Sequence, residues 1–181
     1  MNYHNITTED MLNGDGLRVV LWVAGCEHHC PGCQNPSTWD ENDGIPYDRN
    51  AWEEIVTELK KDYISGITFS GGDPLHTKNR GQVISIATKI KQDFPNKTIW
   101  LYTGYRWEEI MDIPGIEYID VIVDGRFVQA MADVSYPWAG STNQRVIDVK
   151  ESIESGCAIR HKTFDTRLAG NLNVEVCCGE D

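Results

Sequence analysis

Four short apolar runs punctuate an otherwise polar chain: LRVVLWVA (17–24), GITFS (66–70), TIWLYT (98–103) and YIDVIVD (118–124). Each is rich in β-branched or aromatic residues and is closed by polar or glycine-containing sequence, which is the pattern of a strand. The first run is apolar almost throughout, so it predicts a strand covered on both faces, as in a parallel sheet. Between the runs, residues 50–63, 80–94 and 107–111 read as helices. In the second of these, Val83, Ile84, Ile86, Ala87 and Ile90 fall near one face, the stripe a helix needs to pack on a sheet.

Strands alternating with helices imply βαβ units and an α/β fold. Four or five strands are too few for a closed eight-stranded barrel, so the expected architecture is a partial, open β/α barrel in one small domain. Glycines sharpen the picture: GCEHHCPGC follows the first strand, GGDP the second, GY the third and DG the fourth. In barrel-like folds the loops after the C-terminal ends of the strands gather on one face and build the site. These four segments are therefore expected to converge.

Composition narrows the chemistry. The chain has 181 residues, 16 basic against 28 acidic side chains and a net charge of −12. Such a surface repels phosphate backbones and disfavours direct nucleic-acid binding. No apolar run approaches the roughly 18 residues of a membrane span. The N-terminal MNYHNITTEDMLNGDG lacks a basic stretch followed by an apolar core, so no secretory leader is expected and the expected location is cytoplasmic. Thiols stay reduced there, and the six cysteines read first as metal or redox chemistry rather than as disulfides.

Cys26, Cys30 and Cys33 have the spacing C-x3-C-x2-C. Thiolates are the usual ligands of iron–sulfur clusters, and a cubane has four irons, so three cysteines leave one iron open for a substrate. A zinc-stabilised interaction module is the alternative, with His28, His29, Cys157, Cys177 or Cys178 as the fourth ligand. His28 and His29 themselves read as loop residues. The second segment, Ser70-Gly71-Gly72-Asp73-Pro74, offers two glycines that let a ligand approach the backbone and a carboxylate that can accept from an ammonium group. A β-carbon at Gly72 is expected to clash with such a ligand.

C-x3-C-x2-C after a first strand resembles the radical S-adenosylmethionine superfamily. More narrowly, NGDGLRVVLWVAGCEHHCPGCQNPSTW, FSGGDPL, LYTGY, VDGRF and GSTNQRVIDV resemble the family of anaerobic ribonucleoside-triphosphate reductase activating proteins, over residues 1 to about 149. The resemblance implies a [4Fe–4S] cluster on Cys26, Cys30 and Cys33. It also implies S-adenosylmethionine held by Gly32, Cys33, Gln34, Gly71, Gly72 and Asp73, with Asp73 standing where the superfamily has a glutamate that meets the methionyl amino group. Gly32 and Gln34 stand where aromatics are common, which leaves a backbone contact to the adenine there. No catalytic residue beyond the cluster ligands is implied. The expected activity is reductive cleavage of the cofactor to a 5′-deoxyadenosyl radical, which takes a hydrogen from a glycine of the large reductase subunit. The electron donor is expected to be flavodoxin-like. Activases of other glycyl-radical enzymes share the superfamily pattern.

The resemblance runs out near residue 149. Residues 150–181 are expected to form a C-terminal extension carrying Cys157, Cys177 and Cys178, with KESIESG a helical turn and LNVEV a short edge strand.

Overall fold

The computed structural model describes residues 1–162, and they form one open eight-stranded sheet with helices packed on it. The strands are β1 (Asn2–Asp10), β2 (Leu17–Val23), β3 (Ile45–Pro46), β4 (Ile64–Gly71), β5 (Thr98–Tyr102), β6 (Val121–Asp124), β7 (Arg145–Asp148) and β8 (Ile159–Arg160). The helices are α1 (Arg49–Leu59), α2 (Arg80–Asp93), α3 (Trp107–Ile110) and α4 (Val149–Ser155). The strand order is β3-β1-β2-β4-β5-β6-β7-β8. Its centre, β2-β4-β5-β6, is parallel, while β1 and β7 flank it antiparallel.

The parallel centre coincides with the four apolar runs. The sheet extends beyond the expected four or five strands because antiparallel additions lie at both ends. β1 (NYHNITTED) buries only Tyr3 and Ile6, so its polar sequence carries almost no strand signal. β3 and β8 are two residues each. The helical turn expected at KESIESG is α4, and β8 after it pairs with β7. LNVEV, Cys177 and Cys178 lie outside the described residues.

Alternation along the strands gives the sheet two different faces. One row, Leu21-Phe69-Leu101-Ile122-Ile147, joins neighbouring strands in register and packs against the helices in the main core. α2 contributes Val83, Ile86, Ala87 and Ile90 to that core. α1 is capped by Asp48, whose side chain accepts from the Asn50 and Ala51 amides, a cap worth about 1 kcal/mol.

The opposite face holds a smaller apolar cluster of Trp100, Val121, Val123 and Val146, and below it a buried cation. Arg18 is 0% exposed. Its Nε donates to Thr68 Oγ1 (2.8 Å), Nη1 to Asp15 O and Thr98 Oγ1 (2.9 Å each), and Nη2 to Ile67 O (2.7 Å) and Thr98 O (2.8 Å). The guanidinium also lies 5.6 Å from the Trp100 ring centroid. Burial lowers its pKa to about 10, so it stays charged at neutral pH. Every donor is used, and the planar fork ties β2, β4 and β5 together at the N-terminal ends of the strands.

Arg18→Met should keep the volume but strand these acceptors, costing about 2–4 kcal/mol of folding stability. Urea unfolding at neutral pH measures it. A loss below about 1 kcal/mol would mean the strands do not depend on this side chain.

Candidate active site

At the C-terminal ends of the parallel strands the same face opens into a cleft of about 850 Å³, within the size range of small-molecule sites. Cys26, Cys30 and Cys33 lie on one wall, and Ser70, Gly71 and Gly72 on the next. Two segments far apart in sequence thus converge as the strand topology requires. Gln34 and Asp73 also line the cleft. Gly32 is not among the lining residues; it adopts φ +73°, and a β-carbon there would meet the Gln129 side chain. Of the tryptophans, Trp22, Trp39 and Trp138 line the cleft, whereas Trp100 and Trp107 are buried in the two cores.

The cysteine loop is built on backbone bonds to its surroundings. Gly25 N donates to Thr38 O (2.8 Å) and Cys26 N to Trp39 O (3.0 Å), while Cys33 N closes a turn on Cys30 O (3.0 Å). The two loops are stitched together directly: Gly72 N donates to Val23 O and Asp73 N to Gly25 O, both at 2.8 Å. Asn79, 2% exposed, adds a third tie, its amide donating to Ala24 O (2.8 Å) and Asp73 O (3.0 Å).

Asp73 is 1% exposed, and its carboxylate is fully occupied by the protein. Oδ1 accepts from Leu75 N (2.8 Å) and Thr103 Oγ1 (2.9 Å); Oδ2 accepts from His28 Nε2 (2.7 Å), Gly104 N (2.9 Å) and Thr103 Oγ1 (3.0 Å). A carboxylate has about four lone-pair sites, and those are taken. Asp73, expected to accept from an ammonium group, here gathers three loops. Asn79 and Thr103 were not singled out from the sequence, and His28, expected as a loop residue or a zinc ligand, here bonds Asp73 instead. Asp124 of VDGRF is engaged likewise, accepting from Trp107 N (2.8 Å) and from Arg145 Nε (3.0 Å) and Nη2 (2.5 Å).

The donor set fits an iron–sulfur cluster. Three thiols face one cavity, and no three His, Cys, Asp or Glu side chains converge on a single-ion position among the described residues. A cubane engages each thiolate through a different iron, so it does not need them to meet at one point. Burial pushes the Cys26 thiol up to about 11, while the His28 and His29 amides pull the other way. The metal-free thiol is therefore protonated at neutral pH, and ligation releases its proton. The cleft walls also carry three buried polar atoms with no hydrogen-bond partner among the described residues: His28 Nδ1, Trp39 Nε1 and Tyr102 OH. Such groups ask for a ligand or water.

The chain matches the family described as "4Fe-4S single cluster domain" over residues 12–147. It is 43% identical over 146 residues to the anaerobic ribonucleoside-triphosphate reductase-activating protein of Enterobacteria phage T4, covering 81% of this chain and 93% of that one. It is 42% identical over 150 residues to the protein of that name from Escherichia coli K12, covering 81% and 97%. The chain belongs to the family of anaerobic ribonucleoside-triphosphate reductase-activating proteins. The Vibrio cholerae member is 43% identical over 148 residues, covering 80% of this chain and 96% of its own. The family region thus includes both cleft walls and every strand of the parallel centre.

Gly72 is constrained by the protein before any ligand arrives. A β-carbon there would lie 2.5 Å from Gly25 O and 2.9 Å from Thr38 O, so it clashes with backbone whether or not a ligand is bound. Gly72→Ala should therefore destabilise the ligand-free protein by about 1–3 kcal/mol, as overpacking does. Thermal unfolding without iron or cofactor checks it. An unchanged midpoint would mean the loops separate at no cost.

Proposed function

We propose that this chain is a radical S-adenosylmethionine activase that installs a glycyl radical on the large subunit of an anaerobic ribonucleoside-triphosphate reductase. The observation that carries the reading is the meeting of three thiols and a glycine-rich backbone loop in one cleft, at the C-terminal ends of parallel strands. The names of the relatives supply the partner. The open sheet, with its parallel centre, corresponds in this reading to the partial barrel of the superfamily.

Cys26, Cys30 and Cys33 would hold a [4Fe–4S] cluster, leaving one iron for the amino and carboxylate groups of S-adenosylmethionine. Gly71 and Gly72 would present backbone to the methionyl end, and the Gly32–Cys33–Gln34 segment would face the adenine. Asp73 would serve the same group from behind, by holding the glycine loop. When bound, cluster and cofactor supply reductive cleavage of a sulfonium–carbon bond and hydrogen removal from a glycine. The rest is done by this chain. Its thiols give up protons to ligate, its loops fix the two groups side by side, and its aromatic wall of Trp22, Tyr102 and Phe127 limits water around them. Burial raises the Tyr102 hydroxyl far above its usual pKa, so that wall adds no charge.

The cleft mouth carries exposed apolar side chains, among them Leu12 at 80% exposure and Met11, which suits an approaching protein surface. The net charge of −12 argues against nucleic acid as the partner. A flavodoxin-like protein would supply the electron in the cytoplasm. No helix among the described residues is long and apolar enough to cross a membrane.

Cys26→Ala, Cys30→Ala and Cys33→Ala should each abolish cluster assembly, measured as iron and sulfide per chain after anaerobic reconstitution. Formation of 5′-deoxyadenosine, and the glycyl-radical signal of added reductase, should vanish with it. Full iron content and product in all three variants would sink the reading.

A further inference from the structure

The two histidines of the cysteine loop have different environments. The His29 ring lies 4.8 Å from that of Trp39, and its Nδ1 lies 3.0 Å from Glu27 O. The His28 side chain is 3% exposed and its Nε2 lies 2.7 Å from Asp73 Oδ2. The ring meets Tyr105 edge-on at 4.6 Å. It also fills the space that a side chain at position 104 would occupy, since a β-carbon on Gly104 would stand 2.3 Å from His28 Cδ2. Gly104 has no left-handed φ to explain it, so its missing side chain makes room for this ring.

We propose that His28 is a positioning residue: its bond to Asp73 sets where the cysteine loop stands relative to the glycine loop, and so where the cluster stands relative to the cofactor. His28 lies two positions from both Cys26 and Cys30, while Asp73 follows Gly71 and Gly72 directly. Asp73 is held from its own loop by Leu75 N and from the end of β5 by Thr103 and Gly104. Those bonds fix the carboxylate but leave the cysteine loop untouched. The backbone bond from Asp73 N to Gly25 O secures only the start of that loop. Between Cys26 and Cys33 the other long-range polar side-chain ties among the described residues run from Glu27, to the Tyr105 hydroxyl and to His76 Nε2 at 4.0 Å, and Glu27 is half exposed. His28 is the buried one. An apolar ring would fill the same space without donating, and the loop would keep its packing but lose its register against Asp73. A partner that orients a ligating segment in this way is worth about 10–100-fold in affinity or activity in other metal sites.

This inference rests on the proposed cluster and cofactor, and it is tested by binding rather than turnover. His28→Phe, Gly104→Ala and His28→Gln are reconstituted anaerobically beside the unsubstituted chain. Iron content and folding are recorded, and S-adenosylmethionine affinity is titrated through the change it causes in the spin-resonance spectrum of the reduced cluster. His28→Phe and Gly104→Ala, the second of which displaces the histidine ring without removing it, should keep near-full iron. They should bind the cofactor about tenfold more weakly and show a reduced spectral change. His28→Gln, whose amide can donate in place of Nε2–H, should restore most of both. If His28→Phe fails to hold iron, Gly104→Ala against His28→Gln decides the matter alone. Unchanged affinity and spectrum in the displaced-ring variant would overturn the inference, as would a glutamine variant no better than phenylalanine. Failure of the unsubstituted chain to bind S-adenosylmethionine would instead overturn the proposed function.

Discussion

A carboxylate withdrawn from water must be satisfied by the protein, and that requirement at Asp73 organises the active end of the fold. Its donors come from the cysteine loop, from its own loop and from the turn after β5. None of these segments has a core of its own, and each hangs from the end of a parallel strand. The strands fix their starting points through a parallel register that runs from β2 to β6, irregular between Leu17 and Arg18. Backbone bonds from Gly72 and Asp73 to Val23 and Gly25 then close the gap between the first two loops. A glycine at position 72 is the condition for that closure, because the carbonyls of Gly25 and Thr38 occupy the place of a side chain.

What could be read from the sequence follows from the range of the interactions involved. The parallel centre was legible because strands buried on both faces leave near-continuous apolar runs, as in Val19, Val20 and Leu21, all 0% exposed. β1 was illegible for the opposite reason: it lies between β2 and the two-residue β3 and buries only two of its nine residues, so pairing rather than composition makes it a strand. The cysteines could be read because a cluster imposes its spacing locally. His28 could not, since a histidine inside a loop acquires its role only from a carboxylate 45 residues away. Asn79 is hidden in the same way by its acceptor 55 residues back. A glycine pair signals a tight approach but not everything that approaches, and at Gly72 the carbonyls of Gly25 and Thr38 already stand in the place of a side chain.

The two faces of the sheet divide the work between stability and chemistry. The helix-covered face is apolar from Leu21 to Ile147 and needs no polar partners. The other face has to be hollow at one end and sealed at the other. Arg18 seals it, using a charged fork where an apolar plug would have left Thr68 and Thr98 without donors. Trp100 sits above the guanidinium and beneath the cleft, with Trp138 edge-on at 5.7 Å. From there upward the face changes character through Tyr102 and Ser70 to the loops.

That gradient explains why the site lies where the cysteines are and not at the other end of the same sheet. At the N-terminal ends of the strands every donor of Arg18 has an acceptor. At the C-terminal ends His28, Trp39 and Tyr102 each keep a buried polar atom without a partner among the described residues. Atoms of this kind also occur outside the cleft, at His4, Tyr47 and Trp107, but those in the cleft stand beside the cysteine thiols, where a ligand or water can complete them. At the mouth these atoms line one cleft with three thiols and a backbone cleared of side chains, and a single ligand there could complete them together.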